Sequence, residues 1–130
     1  MVTFTVKTTK SCEFIDISDK VSSFIRESGI KEGICTVFVP HTTAAVTINE
    51  NADPDVLHDI ALGLDFVHDN PAFRHAEGNS TAHIRSSLFG VSETIIISNS
   101  RPVLGTWQGI YFCEFDGPRN RKVHLSITGK

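Results

Sequence analysis

Three segments of this chain carry side chains suited to binding or transforming a ligand. Gly105-Thr106-Trp107-Gln108-Gly109-Ile110 holds the only tryptophan, set between two glycines and beside the only glutamine. A strand that merely filled a core would use Val, Ile or Phe here. Glycine flanks predict the close approach of a ligand or of another backbone. The second segment runs from His41 to Asn51. In an extended run, Thr42, Ala44, Val46, Ile48 and Glu50 share one face, and His41, Thr43, Ala45, Thr47 and Asn49 share the other. The first face is mostly apolar and predicted to meet the core. The second is polar but uncharged, which reads as the wall of a pocket containing His41 and Asn49. The third segment, His75 to Ser87, places His75 and His83 on either side of a Gly-Asn turn.

Six histidines are many for this length. Neutral imidazole is a common metal ligand, and three imidazoles with one water make an open site. The His spacing is not a diagnostic motif, and a lone histidine is more often a hydrogen-bonded surface or loop residue. His58 and His68, near acidic residues, take that reading. His124 alternates with Val123 and Leu125 and is expected to face outward. Glu114 lies in the aromatic-rich strand Ile110-Tyr111-Phe112-Cys113-Glu114-Phe115. It would share a face with Thr106 and Gln108. A carboxylate there needs a metal, a His or an Arg as partner, unless it is a strand-end residue in solvent. Arg85, Ser86 and Ser87 follow His83 and would suit phosphate or pyrophosphate near a helix start, the alternative being ordinary helix-surface polarity. No Walker loop, GxGxxG or Gly-x-Ser-x-Gly elbow occurs.

These groups must be positioned by a modest set of elements. Val2, Phe4 and Val6 alternate with polar residues as in a half-buried strand, and Glu13 to Ile17 reads as its partner. Ser18 is placed to cap a helix bearing Val21, Phe24 and Ile25, and Gly29 to end it. Ile34 to Val39 is an apolar strand stopped at Pro40, followed by the His41 strand. Asp53 caps, and Pro54 begins, a second helix. Residues 65 to 80 lack periodicity and form a long loop, a feature often tied to function. Thr81 to Phe89 is helix-like and closed by Gly90. Strands at Glu93 to Ile97, Thr106 to Phe115 and Lys122 to Thr128 follow, the last two joined by a turn at Asp116-Gly117-Pro118-Arg119-Asn120. The count predicts a single α+β domain over residues 1–130, dominated by antiparallel sheet, with seven or eight strands and two or three helices.

The bulk properties bound the function. A chain of 130 residues with 40% hydrophobic and 21% charged residues can bury a real core. A net charge of −3 argues against a nucleic-acid partner bound through bulk electrostatics. Cys12, Cys35 and Cys113 are odd in number and lack CxxC spacing, so they read as small buried hydrophobes. With no signal-peptide pattern and no membrane-length apolar run, the expectation is a cytoplasmic protein without a membrane partner.

The blocks His41-Thr42-Thr43-Ala44-Ala45 through Val56, His75 to Gly90, and Ser92-Glu93-Thr94-Ile95-Ile96-Ile97 with Gly105 to Ile110 together resemble the YjbQ (UPF0047) family, in the family's order and over nearly the whole chain. The resemblance implies a β-sandwich-like α+β fold, a homotrimer and a secondary thiamine-phosphate synthase activity. It also implies a divalent metal (zinc, nickel or magnesium) near His41, His75 and His83, with Glu114 and Gln108 as neighbours. Two positions depart from the family pattern. Ser100 stands where Gly is usual, at a cost of about 1 kcal/mol if its φ is positive. Thr81 stands where many relatives carry an acid.

The expected function is the joining of hydroxymethylpyrimidine diphosphate to thiazole phosphate with release of pyrophosphate. In this reading His41, His83 and Glu114 serve catalysis, Trp107, Gln108, Asn49, Arg85, Ser86 and Ser87 bind the small phosphorylated substrate, and His41, His75 and His83 hold metal. The alternatives are a metal-dependent hydrolase of a small phosphorylated or polar substrate, with those three histidines and a water on zinc or nickel, and a non-catalytic trimeric binding protein with Trp107 in a subunit interface.

Overall fold

A computed structural model describes residues 1–130. The chain forms eight strands and three helices: β1 (Val2–Lys7), β2 (Glu13–Asp16), α1 (Ser18–Ser28), β3 (Glu32–Phe38), β4 (Ala44–Glu50), α2 (Pro54–Gly63), a 3-10 turn at Leu64–Phe66, α3 (Ser80–Phe89), β5 (Ser92–Ser98), β6 (Arg101–Pro102), β7 (Gln108–Glu114) and β8 (Asn120–Gly129). Two antiparallel sheets result, β1-β8-β3-β5-β6 and β2-β7-β4. This is the expected α+β architecture.

The main core lies between the sheets. Val37, Ile95, Ile97, Val123 and Leu125 of the larger sheet meet Ala44, Val46, Ile110 and Phe112 of the smaller, with Val21 and Ile25 of α1 closing one end. Ala45 and Cys113 point the other way, onto Leu64 and Ala82, so α3 and the 3-10 turn cover the smaller sheet's far face. The outer face of the larger sheet carries no layer. The cross-strand partners Ile34 and Ile96 are both exposed on it.

Local signals act largely as sequence predicts. Asp53 accepts from the Asp55 N–H at 2.9 Å with Pro54 in the first turn. Gly29 ends α1 at φ 75°, in the left-handed region that glycine enters without strain. Ser18 is a correction. The first residue of α1 does not cap the helix; its Oγ accepts from the Ile110 N–H at 2.8 Å and ties α1 to β7. The His41 strand also starts later than expected. His41, Thr42 and Thr43 are loop, and pairing with β7 begins at Ala44. All three cysteines are free; Cys35 and Cys113 are buried, and burial pushes the Cys35 thiol up to about 11. No helix is long and apolar enough to cross a membrane.

Candidate functional site

A cleft of about 1080 Å³ opens where the β3–β4 connection, α3 with its preceding loop, and the β7–β8 turn meet. Only 3 of its 17 lining residues are hydrophobic, and the others bring imidazole, hydroxyl, carboxyl and guanidinium groups to it. His41, Thr42 and Thr43 form one wall, His75, His83 and Ser87 another, and Asp116, Arg119 and Arg121 line the β7–β8 side.

The floor on that side is an ion pair between sheets. Glu114 continues the core-facing register of Ile110 and Phe112 on β7, and Arg121 that of Val123 and Leu125 on β8. Glu114 is fully buried and Arg121 nearly so. The Glu114 carboxylate accepts from Arg121 Nε at 2.9 Å, from Arg121 Nη2, from Thr8 Oγ1 at 2.7 Å and from the Asp116 N–H at 3.1 Å. Burial pushes its carboxyl up, but these hydrogen bonds and the guanidinium charge together outweigh burial and hold it below the ordinary carboxylate value. Arg121 Nη2 also donates to Thr43 Oγ1 at 2.9 Å and to the Thr43 carbonyl at 3.3 Å. Gly117 closes over this pair: a Cβ there would lie 2.8 Å from Glu114 Cγ and 2.2 Å from the Lys10 carbonyl. Asp116 is held in turn by Asn79 Nδ2 and Arg119 Nη2, both at 2.9 Å, which overcome burial and lower its carboxyl. Asn79 Oδ1 is buried without a partner.

His41 is set by the neighbouring strand. Its Nε2 accepts from the Lys122 N–H at 2.9 Å. Burial, and then the Arg121 charge, pull its pKa down against the opposing pull of Glu114, and the Lys122 N–H, by engaging the Nε2 lone pair, favours the same neutral form. The ring is therefore neutral near pH 7 with its proton on Nδ1. His75 and His83 pack edge to face with ring centroids 5.4 Å apart.

The three histidines line one cleft but do not fit the expected metal. A ligating imidazole must offer a free lone pair. In His41 the Nε2 lone pair faces the Lys122 N–H and Nδ1 bears the proton, so neither nitrogen is available. No group of three or more His, Cys, Asp or Glu side chains is placed to hold an ion.

Other expected residues also fall elsewhere. Trp107 is 62% exposed and Gln108 begins β7, six positions from Glu114 and roughly 20 Å away along the strand. Neither lines the cleft. Their glycines serve the chain itself: Gln108 Oε1 accepts from the Gly105 N–H at 2.8 Å, and a Cβ at Gly109 would lie 2.8 Å from Asn51 Cβ. Asn49 is exposed near the far end of β4 and accepts from the Glu50 N–H. The expected pocket wall therefore ends at Thr43, because α3 covers Ala45. Arg85 donates from Nη2 to the Leu64 and Val67 carbonyls at 3.3 and 2.9 Å, fastening the loop after α2 rather than facing the cleft. Ser86 and Ser87 do line the cleft, but their hydroxyls donate to the Ala44 and His83 carbonyls. Glu114 has its Arg partner and acts through it, behind the cleft surface. His58, His68 and His124 behave as expected, the last bonded through Nδ1 to Thr3 Oγ1 at 2.8 Å on the outer sheet face.

Sequence reasoning missed Arg121, Asp116, Arg119 and Asn79. A signal for Arg121 existed: it shares strand parity with Val123 and Leu125, so the core-facing run carries an arginine.

The family model for UPF0047 protein YjbQ-like matches residues 2–130. The chain belongs to the YjbQ family. It is 54% identical to a UPF0047 protein of Methanocaldococcus jannaschii over 97% of this chain and 92% of the relative. Identity to the UPF0047 protein YugU of Bacillus subtilis is 50%, over 98% of each. A solved YjbQ/UPF0047 family structure from Clostridium acetobutylicum matches with a TM-score of 0.95 at 52% identity, over 98% of this chain and all (100%) of that one. A conserved hypothetical protein from Thermus thermophilus matches with a TM-score of 0.90 at 37% identity, over 98% and 100%. The YjbQ fold and its strand order thus set the frame in which the cleft is built.

Proposed function

We propose that this YjbQ protein is an enzyme of the thiamine-phosphate synthase type, acting on a small phosphorylated substrate in the cleft beside Arg121. The observation that carries the reading is a polar cleft that combines three imidazoles with two arginines. In the reaction, the carbon–oxygen bond to the diphosphate of hydroxymethylpyrimidine diphosphate breaks and its electron pair leaves with pyrophosphate. The thiazole nitrogen's lone pair forms the new carbon–nitrogen bond. No proton has to move, so the site's task is to orient two reactants and stabilise charge gathering on the leaving group. Arg121 and Arg119 supply cationic donors. Neutral His41 offers its Nδ1–H, and His75 and His83 can hydrogen-bond a heterocycle or phosphate.

The metal-dependent hydrolase reading requires the three imidazoles on one ion, and no arrangement of these side chains favours it. A separate observation favours self-association. The larger sheet's outer face is uncovered, and Ile34, Ile96 and Trp107 are exposed.

The test is purified protein with both substrates, following thiamine phosphate and pyrophosphate together. Equimolar formation that falls at least about tenfold in His83→Ala supports the reading. No product above that control, with or without added divalent cations, refutes it.

A further inference from the structure

Two arginines of the cleft, Arg119 and Arg121, each keep Nη1 free of protein partners, and burial separates them. Ser86 and Ser87 have already donated to backbone carbonyls. Arg85 has turned its Nη2 to the Leu64 and Val67 carbonyls. Arg119 is engaged through Nε and Nη2 by Asp116, three residues away on the same turn, and its side chain is 52% exposed, so it is held less firmly than Arg121. Arg121 spends Nε and Nη2 on Glu114 and Thr43, and these bonds fix the plane of its guanidinium. Its Nη1 takes no part in them, and it is not among the buried unpartnered atoms, which are Asn79 Oδ1 and Arg85 Nε alone. Arg121 lines the cleft, and Nη1 is the guanidinium nitrogen left without a protein partner there. His41 lines the same cleft, and with Nε2 engaged by Lys122 it keeps a neutral Nδ1–H unspent.

We infer that Arg121 Nη1, supported by His41 Nδ1–H, anchors a phosphate or diphosphate oxyanion in the cleft. A charge-assisted bond from a guanidinium already immobilised on two other partners loses little side-chain freedom when the ligand arrives. Glu114 and Thr43 are then positioning residues, orienting the donor without touching the ligand. The inference rests on the reading of the cleft as a site for phosphorylated molecules, and it replaces Arg85, Ser86 and Ser87 as the phosphate anchor.

The test uses pyrophosphate as the probe and the whole chain. Calorimetry gives its affinity for the unaltered protein, for Arg121→Lys and for Arg85→Lys, and the arginine side-chain ¹⁵N–¹H resonances of the unaltered protein are followed in the same titration. The expected result is saturable binding that moves the Arg121 resonances, weakens at least about tenfold in Arg121→Lys and stays within about twofold in Arg85→Lys. No saturation up to about 10 mM, unmoved Arg121 resonances, or full affinity in Arg121→Lys each overturns it. If Arg121→Lys does not fold, the resonances of the unaltered protein decide. Pyrophosphate bound at Arg121 in a protein that makes no thiamine phosphate sinks the proposed reaction and leaves the anchor standing. Product formation with unchanged KM for the diphosphate substrate in Arg121→Lys does the reverse.

Discussion

Glu114 and Arg121 join the two sheets from inside: the carboxylate belongs to β7 of the three-stranded sheet, and the guanidinium to β8 of the five-stranded one. A buried ion pair adds little stability over an apolar pair of the same volume, because both charges must be desolvated, yet removing one partner strands the other. Its placement at the cleft edge, with one guanidinium nitrogen unspent, gives it a use that an apolar pair lacks.

Glu114→Gln should therefore destabilise the fold by roughly 3–5 kcal/mol at pH 7, since Arg121 keeps its charge in a buried place. Urea denaturation with an unchanged m-value checks it. A loss below about 1 kcal/mol would show that the pair is solvated.

Acid should weaken the native protein through the same carboxylate. Its folded pKa lies below its ordinary value of 4.5, so the unfolded chain binds the proton more readily. The stabilisation is complete above that value and is lost as pH falls through the lowered folded pKa. Stability curves measured down that range should be flatter for Glu114→Gln than for the unaltered protein.

His41 should titrate below its ordinary 6.5, with burial first and the Arg121 charge second as causes. Its contribution to stability is present above 6.5 and declines as pH falls toward the folded pKa, because protonation of Nε2 abolishes acceptance from the Lys122 N–H. A ¹H–¹³C titration of the imidazoles reads this directly. A His41 midpoint above 6.5 would contradict the assigned tautomer.

Ser100→Gly should stabilise the protein by about 1 kcal/mol. Asn99 and Ser100 form the β5–β6 turn at φ 52° and 61°, and only glycine enters that region freely. Thermal unfolding should rise by a few degrees.

Gly117→Ala should cost about 1–3 kcal/mol, because its Cβ would fall 2.2 Å from the Lys10 carbonyl, 2.8 Å from Glu114 Cγ and 2.9 Å from Thr8 Oγ1. Pyrophosphate affinity should fall with it, since the clash bears on the residue that holds Arg121. Retained stability together with full affinity would show that the turn shifts freely.

The residues themselves determined most of the elements, the α+β class and the family, because strand alternation, Asp53-Pro54 and Gly29 act over a few residues, where sequence neighbours are also spatial neighbours. The grouping of His41, His75 and His83 came through the family resemblance, because their spacing alone is not diagnostic. Their metal-binding role was not decided there, since it depends on which lone pair the Lys122 N–H engages, a partner 81 positions away. Trp107 and Glu114 looked like companions because they lie close in sequence, but an extended strand holds its ends roughly 20 Å apart. Likewise Arg85 looked free until the loop after α2 supplied two carbonyls. Side-chain type and local periodicity are written in the chain. Which donors stay unspent is decided only when distant strands and loops have taken their hydrogen bonds, and that remainder is what a ligand meets.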